Sequence, residues 1–78
     1  MSDTGLVKGS EFVRRVRRLA RKRGLSAEFV PERGKGSHGT LYLGTRFTVV
    51  RDLNDEIKTG TLHAMLKQLG LTLPDLND

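Results

Sequence analysis

The chain has no cysteine, so neither a disulfide framework nor a cysteine-based zinc site is open to it. No apolar run reaches the ~18 residues that a membrane span requires. The opening M-S-D-T-G-L-V-K lacks the apolar core of a signal peptide. These absences lead us to expect a soluble cytoplasmic protein with no membrane partner. There are two prolines and two histidines in 78 residues. No G-x-x-x-x-G-K-[ST] run, dinucleotide fingerprint or H-E-x-x-H helix occurs, and His38 and His63 lack helical ligand spacing. No metal and no cofactor is therefore expected. A chain of this length makes one small domain, burying only ~60–65% of its unfolded surface. It has no internal repeat and no low-complexity segment.

What the chain has in plenty is positive charge. The net charge is +5 and the sequence pI about 10.3. From Arg14 to Arg23 there are seven basic residues and no acidic one. The acidic residues collect at Asp52, Asp55 and Glu56, and again at Asp75 and Asp78. A basic block on a mixed chain suits a polyanion, either a nucleic acid or an acidic protein. It is equally the signature of a solvated helix face.

Ser10 is positioned to cap a helix, with Glu11 in a first turn that favours an anion. Phe12, Val13, Val16, Leu19 and Ala20 then recur at helical spacing. Arg14, Arg15, Arg17, Arg18, Arg21 and Lys22 fall on the opposite arc. Arg23 suits the C-terminal dipole, and Gly24 is the expected terminator. Residues 26–32, S-A-E-F-V-P-E, read as a strand. Pro31 puts that strand at an edge or ends it, since proline cannot donate to a ladder. A glycine-rich loop, R-G-K-G-S-H-G, follows at 33–39. T-L-Y-L at 40–43 and R-F-T-V-V at 46–50 read as strands joined by a Gly44-Thr45 hairpin.

Residues 51–57 form a polar connection anchored by Leu53 and Ile57. Its acidic cluster should face solvent and can complement the dipole of the next helix. That helix runs from Thr59 or Gly60 to Leu69 on the stripe Leu62, Met65, Leu66 and Leu69, and Gly70 ends it. Pro74 should prevent resumption, leaving 72–78 as a frayed tail around an ordered core of about 7–71. Short links between strands imply an antiparallel meander, and both helices carry an apolar stripe to cover one face. The expected fold is α+β, a two-layer α-β-β-β-α sandwich.

Within that order, K-G-S-H at 35–38 and K-T-G-T-L-H-A-M-L-K-Q-L-G-L at 58–71 resemble the HicA (YcfA-like) toxins of HicAB toxin–antitoxin systems. The resemblance runs from about Val7 to Leu71. It implies a fold like the double-stranded-RNA-binding domain and an mRNA interferase, an endoribonuclease whose catalytic residue is the histidine of a G-S-H-type motif, here His38. It also implies a HicB-like antitoxin as partner. Family members often carry a bulkier residue after that histidine, where Gly39 stands here. Many also carry a second histidine near the end of the third strand, where this chain has Arg51, Asp52 and Asn54.

The chemistry is compatible with those residues. Metal-free RNA cleavage needs a base for the 2′-hydroxyl, charge stabilisation at phosphorus and help for the leaving oxygen. An imidazole with a pKa near ~6.5 suits the proton work. Arg33 and Lys35 can hold the phosphate beside Gly36 and Ser37, with backbone N–H groups of the loop contributing. Gly34, Gly36 and Gly39 would let a ribose-phosphate approach closely. Arg14 and Arg18 on the first helix are placed to contact RNA phosphates. Ser37 and His38, as sequence neighbours, do not form a hydrolase triad. His63 reads as a solvated helix residue. Tyr42 either stacks on a base or fills a sheet face. Two other classes fit the same composition: a non-catalytic RNA-binding module, and a protein–protein adaptor docking through its basic helix.

Overall fold

In the computed structural model, which describes residues 7–77, the chain runs α1 (Gly9–Arg23), β1 (Ala27–Glu32), β2 (Lys35–Leu43), β3 (Arg46–Val50), α2 (Thr59–Leu69) and α3 (Leu73–Leu76). The strands pair antiparallel in the order β1-β2-β3. α1 packs on β1 and β2, and α2 on β3, so the helices cover a single face of the sheet. This is the expected α-β-β-β-α sandwich with a short helix added. No described helix is long and apolar enough to cross a membrane.

Alternation along the strands decides what lies between the layers. Leu41, Leu43, Thr48 and Val50 point inward and are buried, against Phe12, Val16, Leu62, Met65 and Leu66 from the helices. Thr48 is the only buried polar residue among those described, and its hydroxyl donates to Gln68 Oε1 at 2.5 Å. Burying each large apolar side chain contributes roughly 1.5–3 kcal/mol. The opposite residues, Val30, Tyr42, Phe47 and Val49, stay exposed.

Three details differ from the sequence expectation. The first is the start of α1, where the cap is Lys8 and not Ser10, and no side chain caps the end. The N–H groups of Gly9 and Ser10 donate instead to the carbonyls of Asp55 (3.0 Å) and Leu53 (2.9 Å). Backbone of the β3–α2 connection thus satisfies donors that a serine hydroxyl would otherwise serve. The acidic stretch therefore supports α1 through its main chain, and no acidic residue lies in the first turn of α2.

The second difference is in the supposed loop. Only Arg33 and Gly34 form a turn, with Gly34 at φ +79°, and β2 already begins at Lys35.

The third is the C-terminus. Leu73–Leu76 form α3 where a tail without regular structure was expected, and Asp78 lies outside the described residues. Pro74 opens a helix here, where its missing N–H costs nothing. Thr72 and Asp75 cap that helix reciprocally. Leu76 is buried in the core, and α1 grips α3 through Arg15 to Asn77 (2.8 Å) and Arg23 to Asp75 (2.7 Å). Two residues of the basic block are thus structural clamps.

Two predictions follow from these clamps. Leu76→Ala should cost about 2–5 kcal/mol in urea unfolding; an unchanged midpoint would return the segment to a frayed tail. Glu11 and Asp75 both have depressed carboxyl pKa values. Hydrogen bonds from Arg14 and then Arg15 hold Glu11 at about 2, from 4.5. The Thr72 N–H and then Arg23 hold Asp75 below 3.8. A depressed folded pKa contributes stability that is present above the unfolded value and is lost as pH falls through the folded one. Stability should therefore decline below about pH 4.5 as these carboxylates protonate. The decline should be shallower in Glu11→Gln when thermal unfolding is followed against pH.

Candidate active site

The candidate site is built on a break in the β1–β2 register. Ala27 to Pro31 pair with Leu43 to Gly39, but the next pair is Glu32 with Lys35. Gly36, Ser37 and His38 have no partners on β1, so they form a bulge in β2. Pro31 contributes no donor there. Gly39 is the contact point. A Cβ on it would lie 2.4 Å from the Val30 carbonyl oxygen and 2.8 Å from Pro31 Cα. A side chain at this position has no room unless β1 moves. Gly39 therefore accommodates the close approach of β1.

On its other side the bulge is tied down. The Leu53 N–H, three residues beyond the end of β3, donates to the Ser37 carbonyl at 2.8 Å. Leu53 in turn accepts from Ser10 at the start of α1. The strand that carries the histidine is thus linked through one connection to the first helix.

Gly39 faces inward, towards Phe29. His38 beside it lies on the outer face of the sheet, with Glu32, Thr40 and Tyr42. Its side chain is 31% exposed, and Nδ1 stands 3.6 Å from Glu32 Oε1. That distance is too long for a hydrogen bond and short enough for an ion pair when the imidazole is charged. Arg51, exposed, follows directly on Val50, the β3 partner of Gly39.

The other residues picked out by sequence divide into two groups. Arg33 and Gly36 are exposed near His38, at the turn and on the bulge, and Ser37 is half-buried. The backbone of Lys35 starts β2, while its side chain lies outside the described residues. Arg14 and Arg18 belong to the second group. They sit on the exposed face of α1 and line a groove with Ser10, Val13, Arg17 and Arg21. That face points away from the sheet, so the fold does not bring Arg14 or Arg18 to His38. Arg14 is also paired with Glu11. His63 is exposed on α2.

A protein-family model described as HicA toxin of bacterial toxin-antitoxin matches residues 13–71. The chain belongs to this family. The matched segment of this HicA-family protein takes in the His38 bulge and all of α2. It stops short of α3, so the C-terminal clamp lies beyond it. No curated protein and no solved structure matches the chain.

Sequence reasoning missed Glu32 as the neighbour of His38. The signal was present, because Pro31 and the Arg33-Gly34 turn put residue 32 at the mouth of the hairpin. Taking 33–39 as an open loop concealed it. Phe47 was also missed as a surface residue. Phe47 and Val49 alternate with Thr48 and Val50, so neither face of β3 is distinctly apolar.

The bulge predicts opposite outcomes for two glycines. Gly39→Ala must move backbone and should cost roughly 1–3 kcal/mol. Gly36→Ala meets nothing within 4 Å and should be nearly neutral. Urea unfolding of the two variants tests this, and equal midpoints would mean that β1 does not pass so close to Gly39.

Proposed function

We infer that this toxin is a metal-independent endoribonuclease that cleaves mRNA, with His38 as its general base or acid. The observation that carries this reading is the outward-facing His38 on the bulge, with Nδ1 directed to Glu32. The Glu32 carboxylate flanks one ring nitrogen at 3.6 Å and leaves the other for proton transfer. His38 Nε2 takes the proton of a ribose 2′-hydroxyl. The 2′-oxygen then bonds to phosphorus as the P–O5′ bond breaks. The departing 5′-oxygen gains a proton from solvent or from an acid, leaving a 2′,3′-cyclic phosphate and a 5′-hydroxyl.

Arg33, Lys35 and the N–H groups of Gly36 and Ser37 bind the scissile phosphate and stabilise its developing charge. Arg51, exposed just after β3, adds a further cation. Glu32 acts through His38 as a positioning residue. Arg14 and Arg18, on the far layer, contribute phosphate contacts away from the reacting atoms, with strong salt dependence. A HicB-like antitoxin silences the protein by covering the His38 side of the sheet.

The test is cleavage of RNA by the purified protein in EDTA. His38→Ala, shown folded by circular dichroism, should lose roughly 10²–10⁴ in rate. Glu32→Gln should lose less. Binding without cleavage by the unmutated chain would favour a non-catalytic RNA-binding module.

A further inference from the structure

The outer face of the sheet has no helix over it, yet it is not polar. Val30, Thr40 and Val49 form one row across the three strands, and Glu28, Tyr42 and Phe47 form the next. Tyr42 is 43% exposed and Phe47 57%. Their ring centroids are 6.0 Å apart with planes inclined at 50°. The pair is tilted and not stacked, so ring surface stays open to solvent. The chain has four aromatic residues: Phe12 is fully buried, Phe29 packs partly against the core, and these two face outward. The two rings touch each other across the strand pair, and much of their surface stays exposed.

Position and charge indicate what would occupy the face. His38, Thr40 and Tyr42 succeed one another on one side of β2, so the rings continue the surface that carries the imidazole. Tyr42 lies four residue steps along the strand from His38, or about 13 Å. The carboxylates on this face, Glu28 and Glu32, lie on β1. The β2–β3 half carries Tyr42, Phe47 and Val49, and the exposed Arg51 follows directly on Val50, the partner of Gly39. A polyanion crossing the face would therefore run along β2 and β3, away from the β1 carboxylates. Flat apolar surface with a cation at one end matches the bases and backbone of a nucleic acid. Base faces are available only in an unpaired strand, since a duplex stacks and pairs them.

We propose that the Tyr42–Phe47 face is a stacking platform for bases of single-stranded RNA, adjoining the scissile phosphate at His38. The proposal rests on the ribonuclease reading for its substrate and adds the strandedness and the binding surface. It separates two modes of contact. Unpaired bases lie on the sheet, and the α1 arginines, on the opposite layer, act only on phosphates at a distance. Stacking on rings tolerates any base, so this face confers affinity for unpaired segments with little sequence choice.

The chain supplies its own probe. Tyr42 is the one tyrosine and there is no tryptophan, so intrinsic emission reports this residue alone. The unmutated protein would be titrated with a 2′-O-methyl oligouridine of about twelve nucleotides, which resists cleavage, and with the same strand in a duplex. The expected result is quenching by the single strand and little by the duplex. Phe47→Ala should weaken single-strand binding at least about fivefold. Phe47→Leu keeps apolar bulk without the ring and should weaken it similarly.

Several outcomes overturn the platform: equal binding of duplex and single strand, no response of Tyr42, or full affinity in Phe47→Leu. Emission that changes only on adding a HicB-like antitoxin would make the face a protein interface, and the proposal would fall. The ribonuclease reading is judged separately, by cleavage of unmodified RNA with and without His38. The platform can fail while cleavage stands, and quenching can stand where cleavage is absent.

Discussion

The site depends on one close approach, where the backbone of β1 at Val30 and Pro31 passes over Gly39. No side chain larger than hydrogen fits there without moving main chain. The approach ends regular pairing, and the next pair is displaced along β2. Three residues are thereby freed from β1, and the last of them is His38. A flat hairpin would have drawn these residues into the ladder and set the histidine at a different place relative to Glu32. The bulge is held on its far side by the Ser37–Leu53 hydrogen bond, so it is a fixed feature and not a slack loop.

The same economy appears at the start of α1. A helix end must satisfy its first N–H groups. Here the carbonyls of Leu53 and Asp55 do so, at the cost of a second close approach at Gly9, whose absent Cβ would meet the Asp52 oxygen at 2.3 Å. The connection after β3 therefore holds both the histidine strand and the first helix. It has little regular structure, yet it joins the two layers.

The basic block of α1 is less uniform than its sequence suggests. Arg14 and Arg15 share Glu11, and Arg15 and Arg23 reach across to α3. Charge spent on holding the C-terminal turn is not available to a polyanion in the same way. The cations near His38 come from elsewhere, at the hairpin turn and after β3. Arg33 and Arg51 are both exposed and lie outside the basic block of α1.

Local patterning was enough to read the main elements. The 3.6-residue stripes of Phe12 to Ala20 and Leu62 to Leu69 set the long helices, and Gly24 and Gly70 closed them as expected. The helix–strand order and the short links were enough for the sandwich. The G-S-H motif and the pattern of the last long helix were enough for the family. Tertiary contacts decided the rest. Which residue caps α1 depended on carbonyls more than forty positions away. The ordering of the tail depended on Arg15, Arg23 and a place in the core for Leu76. The partner of His38 and its separation from Arg14 and Arg18 depended on strand register and on which face of the sheet the helices took. Those are properties of distance through space. Composition and periodicity record only which side chains follow one another along the chain, and so they carry helices, strands and caps but not the meeting of residues 32 and 38.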